Sequence, residues 1–324
     1  MAKKKYIRAC SIWRALEHIG DHSTLLILEA AFLGVRRFDQ FQRRTRILRT
    51  VLSDRLRKLI ATGCFERVPY SNRPLRYEYR LTEKGRGLYG AALMMLRWEK
   101  KWARKSGKIE VKLRHRGCGN DMEPISACQA CHGEIDPRAV SWQEGPGIGR
   151  ILARYNVRRK QTAAAAERHD PTTLLDEISR IIGDRWSSLI LRSCFTGLNT
   201  YEEIREDTQI ATNILADRLK GLCDVGLLRK QRYEDHPPRY QYRLTDKGRD
   251  IYPILLMLLE WGDRWYAAPE GPPLLLFHDD CGNPLVPEIV CSACGEPLTL
   301  GAVDFQLIEP ENDGQAAPAA LASR

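Results

Sequence analysis

The stretch YEYRLTEKGR at residues 77–86 returns as YQYRLTDKGR at residues 240–249, a displacement of 163 positions. The same displacement carries IGDHSTLLIL (19–28) onto IGDRWSSLIL (182–191), and Trp98 and Trp102 onto Trp261 and Trp265. It also carries HRGCGNDMEPISACQAC (115–131) onto HDDCGNPLVPEIVCSAC (278–294). A single shift leaves no room for insertions, so both copies are expected to have one fold. At 324 residues the chain has length for several domains of ordinary size.

Within each copy the order of elements is readable. Residues 11–33 and 174–195 carry apolar residues at helical spacing, with Ile12, Leu16, Ile19, Leu25, Leu26 and Leu28 on the inward side. After Gly34 two shorter helical stretches follow, 37–44 and 48–61. The second places Leu48, Leu52, Leu56 and Leu59 at steps of three and four, one buried stripe. CFERVPYSNRPLRYEYRLT alternates on both sides of Asn72-Arg73-Pro74, as a hairpin with a longer loop does, and the second copy repeats this around EDHPPR. A last helix starts after Thr82, a good N-cap, with Gly85 in its first turn. Three helices, a hairpin and a closing helix spell a winged helix-turn-helix. The residues before the third helix, Leu48 and Ala211, are poor N-caps.

The segment from Ala15 through LEHIGDHSTLLILEAAFLGVRRFDQF, then LSDRLRKLIATGCFER and YEYRLTEKGRGLY, resembles the HxlR-type winged-helix transcriptional regulators. IGDRWSSLIL, ILADRLKGLCDVGLLRK and PPRYQYRLTDKGRDIYPIL of the second copy are the closer match. The resemblance covers residues 10–103 and 173–266. It implies operator binding and dimerisation through the terminal helices. With two units in one chain, it implies an intramolecular pseudo-dimer, with a homodimer of chains as the other arrangement. The metal-ligand motifs lie outside the family's usual pattern.

The expected fold class is α+β and mainly helical, two winged helix-turn-helix domains each followed by a small zinc-ribbon-like β module. The boundaries read as a first winged helix over 1–106, its module over 107–143, a linker over 144–171, a second winged helix over 172–269, its module over 270–306 and a disordered tail over 307–324. The linker opens with a Gly/Pro-rich break, and its middle has the pattern of a short basic helix ending at Asp170-Pro171. The tail is polar, rich in Pro and Ala, and without periodicity.

No apolar run approaches the roughly 18 residues that span a bilayer, and no apolar stretch follows the basic start to make a secretory signal. With ten cysteines, six of them in metal-type spacing, the chain suits a reducing cytoplasm and no membrane partner. The net charge of +10 is unevenly spread: residues 1–150 hold 31 Lys and Arg against 15 Asp and Glu, the remainder 20 against 26. Residues 35–60 hold nine basic and two acidic side chains, the matching 198–223 three and five.

Double-stranded DNA is therefore the expected partner, with the first copy as the main contact. The recognition helix of a helix-turn-helix presents its first turns to base edges. Arg49, Thr50, Ser53 and Arg57 point away from the leucine stripe for this role, while Arg43, Arg44 and Arg46 just ahead are placed for phosphates. Opposite those three stand Glu206, Asp207 and Gln209. Thr212 and Asn213 remain candidates for base contact in the second copy. The wing tips offer Arg73, Arg76 and Arg239.

His115-x2-Cys118-x9-Cys128-x2-Cys131 and His278-x2-Cys281-x9-Cys291-x2-Cys294 supply four ligands each, enough for one tetrahedral structural zinc per copy. Metal binding then provides folding energy on the order of 10 kcal/mol. His132 competes with His115 as a ligand, but the second copy has Gly295 there. Four protein ligands leave no open position for hydrolytic chemistry, and no nucleophile-base pair or phosphate-binding glycine loop is seen, so no enzymatic activity is expected. The resemblance places Cys10 where family members carry a regulatory cysteine. Lys3, Lys4, Lys5 and Arg8 surround it in sequence, and redox sensing stands beside an incidental surface thiol. The second copy has Thr173 at that position. Cys64, Cys194 and Cys223 read as small hydrophobes. The competing reading of the whole chain is an adaptor whose ribbons and acidic second half bind a protein of the transcription machinery.

Overall fold

A computed structural model describes residues 6–103, 109–152, 173–236 and 238–308. The basic helix expected in the linker and the tail beyond residue 308 lie outside these residues, as do Lys3, Lys4, Lys5 and Pro237. The chain opens with β1 (Tyr6–Arg8), then α1 (Ser11–Ile19), α2 (His22–Phe32), α3 (Phe38–Thr45) and α4 (Arg49–Ala61). The wing is β2 (Phe65–Asn72) and β3 (Leu75–Leu81), followed by a short α5 (Glu83–Arg86) and a long α6 (Tyr89–Trp102).

The apolar stretch 11–33 is two helices, not one. Gly20 closes α1, and the Asp21 carboxylate accepts from the backbone N–H of Thr24 at 3.1 Å to start α2. The same carboxylate holds Arg55 of α4 at 2.9 Å, and Asp184 and Arg218 repeat the pair at 2.6 Å in the second copy. Cap and ion pair together fix the recognition helix against α2. Leu52, Leu56 and Leu59 bury the inner face of α4 as their spacing requires, whereas Leu48 is exposed at the uncapped N-terminus. Gly85 explains the EKGR motif: a Cβ there would lie 2.2 Å from the Cys64 carbonyl, and Gly248 meets Leu227 likewise. The wing gains a third edge where Tyr79 N–H donates to Arg36 O at 2.8 Å.

Beyond the first winged helix come β4 (Glu110–His115), β5 (Pro124–Cys128), β6 (Val140–Glu144) and β7 (Arg150–Leu152). The second winged helix is α7 (Asp176–Gly183), α8 (Arg185–Phe195), α9 (Tyr201–Thr208), α10 (Thr212–Asp224), β8 (Leu228–Asp235), β9 (Pro238–Leu244), α11 (Asp246–Arg249) and α12 (Tyr252–Tyr266). The described residues end in β10 (Leu274–His278), β11 (Asn283–Pro284), β12 (Pro287–Cys291) and β13 (Val303–Ile308).

The copies share one hydrophobic core. Helix α1 lies along α12, and α6 packs on both α12 and α7. Trp98 Nε1 donates to Lys247 O at 3.0 Å and Trp261 Nε1 to Lys84 O at 2.8 Å, a reciprocal pair under the 163-residue shift. The two sides of the contact are not identical. Glu99 accepts from the N–H groups of Glu177 and Ile178, capping α7, which has no side-chain cap of its own. Its duplicate is Gly262, where a Cβ would sit 2.2 Å from Ser11 O, so α12 approaches α1 more closely than a side chain permits.

The expectation of two separate ribbon modules is corrected. Each five- or six-residue strand of one copy pairs with a strand of the other: β5 with β12, β4 with β13, β6 with β10. Ser126 lies opposite Ile289, its own duplicate, so a local twofold axis passes between them. The 144–171 linker is also shorter than read, because β7 pairs antiparallel with β1, and β13 runs past residue 306 to Ile308.

Glu29 on α2 is buried, 7 % exposed, and accepts from Leu174 N at 3.1 Å and Leu175 N at 3.3 Å. Burial pushes its carboxyl up to about 7, against the opposing pull of these N–H groups and Arg44. A folded value above the unfolded one means stability is greatest below the unfolded carboxyl value and is lost as pH rises through about 7. Glu29→Gln, which keeps an acceptor, should remove that slope. Denaturant unfolding of both proteins at pH 5 and pH 8 should show their stability difference changing by up to about 3 kcal/mol in favour of Gln at the higher pH. A constant difference would mean that the carboxyl titrates normally.

Candidate functional site

The eight metal-type residues form two clusters, and the grouping is the reverse of the spacing-based expectation. His115 and Cys118 meet Cys291 and Cys294, while Cys128 and Cys131 meet His278 and Cys281. In each, the ligand atoms all lie within 4.8 Å of one another. The physical reason is β5. Five extended residues advance the chain by roughly 16 Å, which carries Cys128 and Cys131 away from His115 instead of turning them back. Pairing with β12 then delivers them to the other copy's His278.

Cys294 Sγ is 3.3 Å from His115 Nδ1, and Cys131 Sγ is 3.3 Å from His278 Nδ1. Both rings are buried, 4 % and 1 % exposed. His278 Nε2 lies 3.6 Å from the Asp280 carboxylate, beyond hydrogen-bond distance, and has no hydrogen-bond partner among the described residues. Gly117 leaves space for the other ring, since a Cβ there would be 2.8 Å from His115 Cε1. The backbone N–H of Asn120 is the main cause holding the Cys118 thiol down to about 7, with His115, Cys294 and Cys291 adding to it against desolvation. Asn283 chiefly lowers Cys281 to about 6. Three thiol sulfurs and one imidazole nitrogen at these separations fit a tetrahedral metal ion without an open position. His132 is excluded from both clusters: it takes the left-handed turn at φ 60° that Gly295 takes at 75°. That turn, not coordination, is what the position serves.

The helix-turn-helix surface places Arg49, Thr50, Ser53 and Arg57 exposed along α4, opposite its buried leucines. Arg49 stacks over the Phe38 ring at 5.2 Å. Arg43 is exposed and pairs with Asp39 at 3.0 Å, and Arg46 occupies the left-handed residue ending α3. Arg44 departs from expectation. Its side chain is only 22 % exposed and turns inward to Glu29 at 3.6 Å, so it is not presented with its neighbours. In the second copy the pair is inverted: Arg192 stands at the place of Glu29 and bonds Asp207, which stands at the place of Arg44.

Asp207 is thus spent inside the fold, and Glu203 completes a capping box with Thr200. The acidic surface of the second copy is smaller than its composition implied. Thr212 and Asn213 are exposed at the start of α10, with the Thr212 carbonyl accepting from Tyr201. At the wings Arg73 and Arg76 are exposed, and Arg239 pairs with Glu234 at 3.2 Å.

Cys10 is not the surface thiol expected. It is 2 % exposed and in hydrogen-bond contact with the buried Arg192 side chain. The cause is the β1–β7 ladder and the bond from Ala9 N to Gly149 O, which fold the chain start onto the protein. Periodicity gave no sign of that ladder. Cys64 and Cys194 are buried and Cys223 half-buried, as small hydrophobes are.

Comparison with known proteins places these features. An uncharacterized HTH-type transcriptional regulator of Mycobacterium tuberculosis is 46 % identical over 143 residues, covering 44 % of this chain and 90 % of that protein. Similar regulators of Methanothermobacter thermautotrophicus (39 % over 91 residues, 28 % of this chain, 70 % of theirs) and Bacillus subtilis (29 % over 86 residues, 26 % and 67 %) also align. The profile of the HxlR-like helix-turn-helix family matches twice, over residues 18–107 and 181–270. With two winged helices built from those segments, the chain belongs to the HxlR-like helix-turn-helix family, in tandem duplicate.

Proposed function

We propose that the protein is a transcriptional regulator that binds double-stranded DNA through an intramolecular pseudo-dimer of winged helices, with the first copy as the main contact. The observation that carries this reading is the exposed face of α4. Two arginines and two hydroxyl side chains project from a helix whose other face is locked by leucines and the Asp21–Arg55 pair. Arginine can present two donors to guanine, and the neighbouring Arg43 and Arg46 add positive charge for the backbone. Helix α10 offers Thr212 and Asn213 without such a basic surround, fitting a weaker half-site. The reciprocal Trp98 and Trp261 bonds support the pseudo-dimer, since they join the copies about a common axis.

Gel-shift or anisotropy titrations on genomic operator fragments test the division of labour. Arg49→Ala together with Arg43→Glu should weaken binding by at least about tenfold and reduce the salt slope by about one per lost phosphate contact. Thr212→Ala with Asn213→Ala should cost only about threefold, roughly half the energy of a good base pair contact. Equal losses would reject the first copy as the principal unit.

Each Cys3His cluster is proposed to hold a structural Zn2+, which would brace one copy against the other. Metal content of the purified chain should be two equivalents. The crossing makes an unusual forecast for double variants: Cys118→Ser with Cys291→Ser should retain one equivalent, and Cys118→Ser with Cys128→Ser should retain none. Closure of each site within one copy would give the opposite result.

A further inference from the structure

Between the first winged helix and β13, a strand supplied by the second copy, lies a cavity of about 800 Å3, within the size range of small-molecule sites. One part of its wall is apolar, with Phe32, Val35, Leu300 and Phe305. A smaller apolar recess shares Phe32 and Phe305 and continues towards Leu175. The other part is cationic, with five arginines.

Their pairing decides what the cavity can take. Arg80 is held by Glu78 at 3.1 Å and Arg116 by Asp304 at 2.6 Å. Arg44 faces Glu29 at 3.6 Å, and its buried Nη2 has no hydrogen-bond partner among the described residues. Arg36 and Arg86, both exposed residues of the lining, have no acidic partner among the described residues. Glu29, Glu78 and Asp304 thus leave an excess of positive charge. Tyr89, 3 % exposed, lines the same cavity, and its hydroxyl also has no hydrogen-bond partner among the described residues. Burial pushes the phenol above its ordinary range, so it stays a donor. An unpaired buried donor costs free energy unless a ligand or water meets it.

The matching cleft of the second copy is built differently. It keeps Arg243 and Arg249, adds its own Arg229 and borrows Arg138 from the first copy, but it is lined by Asn199 where the first has Arg36, and by no tyrosine. Asp207 and Asp279 stand at the duplicates of Arg44 and Arg116. Tyr252 and Phe195 duplicate Tyr89 and Phe32, but Tyr252 lines a separate recess, so among the described residues the first copy alone joins arginines, phenol and aromatic wall in one cavity.

We infer that this cavity is a binding site for a small aromatic carboxylate, its anionic end on Arg36, Arg86 and the Tyr89 hydroxyl and its ring against Phe32 and Phe305. Such a ligand would touch the first winged helix and the second copy's last strand together, and so would act on their contact. The site does not depend on the DNA reading, and its test needs no DNA.

The test titrates 2-naphthoate, followed by its own fluorescence, into the full-length protein. Saturable binding at one site per chain is expected. Loss of a charge-assisted hydrogen bond predicts that Arg36→Gln and Arg86→Gln each raise Kd by about tenfold or more, and Tyr89→Phe by about threefold. Arg249→Gln, the duplicate of Arg86, should leave Kd within about twofold, well below one lost hydrogen bond. Absence of saturable binding, indifference to Arg36→Gln and Arg86→Gln, or displacement by inorganic phosphate at equal concentration would overturn the assignment. It would also fall if these two variants weakened only a DNA shift while naphthoate bound as before, since the arginines would then serve the nucleic-acid backbone.

Discussion

The pairing of β5 with β12, centred on Ser126 opposite Ile289, constrains everything around it. Because the central residues are duplicates of one another, the two strands can meet only about a local twofold axis, and all that follows them must cross. The outer pairs β4–β13 and β6–β10 are therefore exchanged reciprocally, and each ligand cluster draws half its atoms from each copy. The same axis relates the tryptophan bonds deeper in the helical layer. The fold is two winged helices held in one mutual orientation by a shared floor, not two beads on a string.

Much of this was legible because the duplication left two copies of every signal. The helix order, the wing, the leucine stripe of α4 and even the lack of a good cap at Leu48 and Ala211 follow from periodicity and residue chemistry within a short window. The ligand residues were legible too, but not their grouping. Spacing reports which residues are near in sequence, and it is identical for closed and exchanged arrangements. What separates them is whether residues 124–128 turn or run straight, and five residues of mixed character do not reveal that. The burial of Cys10 is invisible in local sequence for a similar reason: the strand that holds residues 6–8 in place comes from residues 150–152, far along the chain.

Charge counting was the least reliable guide. Arg44 and Asp207 looked like opposite signs of one DNA-facing surface. They are instead the two halves of an inverted design, Glu29 with Arg44 in one copy and Arg192 with Asp207 in the other. Each carboxylate and guanidinium is enclosed enough that its partner matters more than its solvent. Since the polarity is reversed, the copies are no longer interchangeable at this point. Transplanting α3 into the second copy would set Arg44 against Arg192.

The exchanged clusters also bear on how the protein is made. His115, Cys118, Cys128 and Cys131 leave the ribosome long before residues 278–294 exist, so neither set of four can assemble while synthesis is under way. The first half must hold its thiols as open half-sites until residues 278–294 have emerged. A product truncated after the first copy would be left with four unpaired ligands and no closed cluster. Emergence of residues 278–294 is thereby the event that allows both centres to close.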